Sequence, residues 1–200
     1  MPKITILFFL LLSMIAFSQE IDKRQAAQDF QTQLNKEYAD AKTSPLEPND
    51  LAHFQTLDFY PINESYVITA KFIRTKKEKA FKMKTSTNRA PLYIKYGEVH
   101  FTINGKECVL NLYCDIVLSR TAKYKKNLFL PFSDLSSGID TYIGGRYIDL
   151  KIPSGDTIDI DFNTAYNPYC AYSHKYSCPR VPLENDLQVR IEAGVKKFHD

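Results

Sequence analysis

Leu92-Tyr93-Ile94-Lys95-Tyr96-Gly97-Glu98-Val99-His100-Phe101-Thr102-Ile103, then Asn104-Gly105, then Lys106 to Leu118, is the stretch whose reading decides the fold. Two runs of alternating apolar and polar residues flank an Asn-Gly pair, and Asn-Gly supplies the positive φ angles of a tight hairpin turn. A long antiparallel hairpin is therefore expected. Upstream, Tyr66, Ile68, Ala70 and Phe72 alternate with Val67, Thr69, Lys71 and Ile73, so the period is two there as well. Downstream, Ile148, Leu150 and Ile152 match Ile158, Ile160 and Phe162 about Pro153-Ser154-Gly155-Asp156, which predicts a second hairpin from Tyr147 to Asn163. Leu187, Val189 and Ile191 alternate with Gln188, Arg190 and Glu192 and predict a last strand.

Ahead of the strands the period changes. Residues 20–43 carry Phe30, Leu34 and Tyr38 at i, i+4 and i+8 among charged and amide side chains, the stripe of one amphipathic helix. It must stop before Ser44-Pro45, because proline disfavours helix at the preceding residue. Asn49 or Asp50 can cap one further turn through Leu51 to Phe54. The expected fold class is mainly β of the α+β type: an antiparallel curled sheet, a partly open β-barrel or sandwich, with the N-terminal amphipathic helix packed on it.

Met1-Pro2-Lys3, the apolar run Ile4 to Phe17 and Ser18-Gln19-Glu20 read as a signal peptide over residues 1–18, since about fourteen apolar residues fall short of the roughly 20 that span a bilayer. The expected organisation is a signal peptide (1–18), an N-terminal helix (19–45) and a single β-rich domain (46–200). Export to the periplasm or the extracellular space follows, with no membrane span after cleavage. The whole chain has a net charge of +3, which includes Lys3. So small a charge points to no nucleic acid and no anionic surface as partner. A monomer is expected. The basic run Lys71, Arg74, Lys76, Lys77, Lys79, Lys82, Lys84 and Arg89 is read as a hairpin whose lysines blunt a sheet edge.

Most of the polar chemistry lies between Asp161 and Pro179, where Tyr166, Asn167, Tyr169, Cys170, Tyr172, His174, Tyr176 and Cys178 crowd a non-repetitive loop. Cys108 and Cys114 share one face of a strand roughly 20 Å apart, so they cannot bridge each other and read as small buried hydrophobes. Cys170 and Cys178, with seven residues between them, suit a disulfide in an exported compartment. Two free thiols, a three-ligand Cys170-His174-Cys178 metal site, and a catalytic Cys170 with His174 as base remain open beside it. Asp149 and Asp159 read as part of a solvated sheet face, whereas Asp161 and Asn163 lead into the loop and carry the hard oxygens a cation or polyol needs. Gly144-Gly145 permits a close backbone approach next to Arg146, which suits either a bound anion or a structural fork onto Asp134, Asp161 or Glu184. No phosphate-binding loop, dinucleotide fingerprint, Gly-x-Ser-x-Gly elbow or His-Glu-x-x-His helix occurs in the chain.

The succession Leu128-Phe129-Leu130-Pro131-Phe132, Ser137-Gly138, Thr141-Tyr142, Gly144-Gly145-Arg146-Tyr147, Asp161-Phe162-Asn163, Tyr166-Asn167-Pro168, Cys170-Ala171-Tyr172, Tyr176-Ser177-Cys178-Pro179 and Glu184-Asn185 resembles an uncharacterised bacterial and archaeal family, domain of unknown function 1684. The resemblance extends from Phe54 through Pro61 to the closing Ile191-Glu192-Ala193-Gly194. Cys170 and Cys178 belong to the family pattern; Cys108, Cys114 and His174 do not. Ser136-Ser137-Gly138 replaces the usual Thr-Ser-Gly and keeps the hydroxyls. The resemblance implies no reaction.

The leading expectation is a non-enzymatic exported domain that binds a small polar or anionic ligand. Arg146 would supply charge, Gly144 and Gly145 backbone, and Asp161, Asn163 and Asn167 orientation. Tyr166, Tyr169, Tyr172 and Cys170 would wall the pocket. No cofactor and no metal are expected. The rivals are a hydrolytic or metal-assisted enzyme using Cys170 or Asp161, and a structural or protein-interaction domain.

Overall fold

A computed structural model describes residues 23–199, so the expected signal peptide lies outside the described residues. Helix α1 runs over 23–39, and α2 is the single turn Pro48–His53. Seven strands follow: β1 Val67–Arg74, β2 Phe81–Lys82, β3 Leu92–Ile103, β4 Lys106–Asp115, β5 Asn127–Phe132, β6 Arg146–Lys151 and β7 Thr157–Asp161. They form one antiparallel, curled half-barrel sheet in the order β6-β5-β4-β3-β1-β7, with β2 added beside β3.

The β3–β4 hairpin is the one the sequence expects, with Ile103 opposite Lys106 and Asn104 and Gly105 at φ 50° and 72°. The second hairpin is a correction. β6 and β7 are both strands, but they lie at opposite ends of the sheet order and share no ladder: β6 pairs with β5, and β7 with β1. Alternation fixes which face a residue takes, not which strand sits beside it. The apolar face is as expected, since Ile148, Ile158, Ile160 and Phe162 are all buried in the main core with Leu110, Leu112, Leu130 and Phe132. Because residues 152–156 tie the two sheet edges together, the sheet must curl until they approach. The remaining gap is bridged past the end of β7, where Tyr147 and Tyr166 exchange backbone hydrogen bonds of 2.9 and 3.0 Å.

The last strand is also corrected. Leu187, Val189, Ile191, Ala193 and Val195 are buried while Gln188 and Glu192 are exposed, so the alternation is real. Residues 187–195 nevertheless form an extended strap without a strand ladder, and much of their hydrogen bonding goes to side chains. Helix α1 packs through Leu34 and Tyr38 onto Leu57, Tyr172 and Val195, a second cluster on the loop side of the sheet. Cys108 and Cys114 are buried free thiols.

Candidate functional site

Three segments meet where the sheet closes: the turns over 133–145, the loop over 162–181 and the strap. Arg146, first residue of β6, joins them. Its side chain is wholly buried, and Nη2 donates to Asp134 Oδ2 at 2.7 Å and to the Ile191 carbonyl at 2.9 Å, while Nη1 donates to the carbonyl of Ala193. Asp134 Oδ1 accepts in turn from the amides of Ser136 and Ile191, at 2.7 and 3.3 Å. The guanidinium therefore takes the place of a neighbouring strand, offering donors to strap carbonyls. Of the pairings open to Arg146 in the sequence, the structure uses Asp134, and the buried guanidinium lines neither of the two cavities beside Cys170. Gly145 makes this approach possible: at φ 81°, an added Cβ would lie 2.5 Å from the Phe132 carbonyl oxygen.

The asparagines expected to orient a ligand bond to backbone, though Asn167 Oδ1 is buried without a partner among the described residues. Asn163 Oδ1 accepts from the Asn63 amide at 2.9 Å and its Nδ2 donates to the Asn63 carbonyl at 3.0 Å. Asp161 Oδ1 accepts from both nitrogens of Asn163, so that carboxylate caps the turn after β7. Burial raises its pKa against those hydrogen bonds. Asn167 Nδ2 holds the Lys196 carbonyl at 2.9 Å. Tyr166 donates to Asp149 at 3.0 Å. Tyr169 and Tyr172 stack edgewise against Tyr38 with centroids 6.2 and 4.9 Å away.

The open space lies on the other side of this wall. A cavity of about 530 Å³ is bounded by Tyr142, Ile143, Cys170, Tyr172 and Ser173, with Glu47, Asp50, His174, Lys197 and His199 around it. Ser173 Oγ donates to Glu47, and His199 lies 3.4 Å from Asp50. The Tyr172 hydroxyl is buried without a partner in hydrogen-bond geometry among the described residues. A second cavity, about 340 Å³, is lined by Gly144, Cys178, Arg180 and Ser86 and shares Tyr142, Ile143 and Cys170 with the first. From the expected ligand set, Gly144, Cys170 and Tyr172 line these cavities; Arg146, Gly145, Asp161, Asn163, Tyr166, Asn167 and Tyr169 do not. Tyr142, Ser173, Glu47 and the residues from Lys197 onward were missed. Tyr142 alone carried a signal, its place two residues before the glycine pair.

Cys170 sits between the two cavities at the centre of the short 3-10 turn Tyr169–Ala171. Its amide donates to Cys178 Sγ at 3.1 Å, and its own sulfur lies 3.8 Å from the Tyr142 hydroxyl. Cys178 is fixed on its far side by Ser86, whose hydroxyl accepts from the Cys178 amide at 3.1 Å and whose amide donates to the Cys178 carbonyl at 2.8 Å. The two thiols are adjacent and unbonded here. A hydrogen bond from Cys178, helped by Tyr142 and Ser86 and opposed by burial, lowers the Cys170 thiol to about 6. The same shared proton, with burial, pushes Cys178 far above the usual thiol range. Among the described residues no three His, Cys, Asp or Glu side chains gather as a metal site, and no helix is long and apolar enough to cross a membrane.

The family described as protein of unknown function (DUF1684) matches residues 52–196. The solution NMR structure of an uncharacterized protein from Haloarcula marismortui is similar over 90% of this chain and 96% of that one, with 28% identity and a TM-score of 0.70. No curated protein matches.

Proposed function

The chain belongs to the DUF1684 family of proteins of unknown function, and from that premise we propose that it is an exported β-domain protein binding a small polar or anionic ligand. The binding place is the cavity of about 530 Å³ between Tyr142, Cys170, Tyr172 and Ser173, and not the guanidinium of Arg146. One observation carries the reading: aromatic and hydroxyl groups make the wall, and Lys197, His199 and the acids Glu47 and Asp50 gather polar groups around it. Such a mixture of apolar wall and few convergent polar groups is what small-molecule sites are made of. A carboxylate or phosphate group would lie toward Lys197 and His199, with its polar remainder against Ser173 and Tyr142. The leader peptide belongs to this proposal, as does a disulfide between the adjacent thiols Cys170 and Cys178 in an oxidising compartment.

Native mass spectrometry of the purified full chain tests the binding directly. A bound mass should appear in the parent and fall at least tenfold in occupancy in Lys197→Ala/His199→Ala, whose circular dichroism should be unchanged. Equal occupancy in parent and variant would sink this placement of the site.

A further inference from the structure

We propose that Cys170 and Cys178 are a reversible dithiol that exchanges electrons with disulfides, with Cys170 as the attacking sulfur. The pair goes beyond a staple because its two members are treated differently by the fold. Cys178 is buried and pinned through both its backbone groups to Ser86, whereas Cys170 is half-buried and lines both cavities. Cys170 is the more exposed sulfur and lines both cavities, whereas Cys178 lines only the second, so a disulfide presented by a partner meets Cys170 first. Beside that sulfur stands Ile143, 77% exposed, an apolar lip at the mouth of both cavities on which an extended peptide could rest. The Tyr142 hydroxyl, 3.8 Å from Cys170 Sγ, supplies a hydrogen bond to a thiolate. With the Cys178 proton and Ser86, the Tyr142 hydroxyl favours the ionised form at Cys170, the form that attacks.

The exchange balances as follows. The Cys170 thiolate attacks one sulfur of an organic disulfide, forming a mixed disulfide and releasing the other half as a thiolate. With the charge on Cys170 gone, the hydrogen bond that held the Cys178 proton is lost, and that proton passes to the departing thiolate. Cys178 then attacks the Cys170 sulfur, closes the intramolecular disulfide and expels the second half of the co-reactant. Two electrons move from the dithiol to the co-reactant, leaving one disulfide in this chain and two thiol equivalents in solution.

The test uses the full chain equilibrated with reduced and oxidised glutathione, quenched by alkylation and mapped by peptide mass. The Cys170–Cys178 disulfide should appear and disappear as the glutathione ratio changes, with the transient glutathione adduct on Cys170. In Cys178→Ser that adduct should persist on Cys170, and in Cys170→Ser it should be lost at least tenfold at Cys178. Alkylation of Cys170 should be half-maximal below pH 7, and Tyr142→Phe should move that midpoint upward. If either serine variant fails to fold, rapid quenching of the parent still locates the adduct. A disulfide that survives excess reduced glutathione, thiols that stay reduced in oxidised glutathione, or an adduct first seen on Cys178 would each overturn the proposal. The first of those outcomes leaves a permanent staple and does not touch ligand binding, which native mass spectrometry reads separately.

Discussion

Arg146 is a cation that meets no solvent. Its charge is cancelled by Asp134, and its two terminal nitrogens also donate to the carbonyls of Ile191, Ala193 and Val195, while Nε is buried without a partner among the described residues. Removing one partner of such a pair leaves an unpaired buried charge, which costs about 3–5 kcal/mol. Arg146→Ala is expected to lower the urea unfolding free energy by about that amount, with both cavities untouched in any molecule that still folds. A small stability change joined to loss of a bound ligand would return Arg146 to the binding role first expected of it. The sequence placed Arg146 beside two glycines and left its partner open among three acids. Deciding between them needs the position of the strap, which lies some 45 residues further along the chain, as the bond from Arg146 to Ile191 records.

At the scale of elements, Pro131 sits inside β5 facing β4, where a strand lacks the N–H that a ladder needs. Asn185 supplies the substitute. Its Oδ1 accepts from the Asn111 amide at 2.9 Å, and its Nδ2 donates to the carbonyls of Asn111 and Pro131 at 2.9 and 2.6 Å. One side-chain amide thus splices β4 to β5, strands with a single residue pair, Tyr113 opposite Phe129, in their ladder. Asn185→Leu is expected to cost about 1–3 kcal/mol for each buried backbone group left unpaired. Asn185→Asp should be no better, because it cannot donate to either carbonyl. Urea unfolding of both variants checks this, and an unchanged midpoint would refute the splice. Strands and their buried faces were legible in the sequence because period two is written residue by residue. The β6–β7 hairpin was misread because neighbours in a sheet are a property of the closed object. In the loop over 161–179, the asparagines expected to meet a ligand bond to backbone in this structure. Amides recognise a peptide group as readily as a small molecule, and the residue type alone does not tell the two apart.

Taken whole, the molecule carries an unusual share of its packing on tyrosine. Burial raises the pKa of Tyr38, Tyr93, Tyr147, Tyr166 and Tyr172, and pushes Tyr113 and Tyr142 up to about 12. A phenol that stays neutral in the fold but ionises when unfolded stabilises the fold fully below the unfolded value of about 10. That contribution is lost as pH rises from there through the folded value, since the unfolded chain then binds fewer protons. Alkaline unfolding is therefore expected to begin near pH 10 and to be cooperative, with tyrosinate absorbance rising in one step that coincides with loss of circular dichroism. Staggered titration with the fold intact would contradict this picture of the core.

The strap has one more consequence, which concerns order in time. The carbonyls that accept from Arg146 belong to Ile191, Ala193 and Val195, residues made long after the sheet has all its strands. Until those residues leave the ribosome, the guanidinium and Asp134 have only each other and Ser136, and the core face beneath the strap is open to water. Closure of the core beneath the strap therefore waits for residues 191–195, the last partners Arg146 acquires.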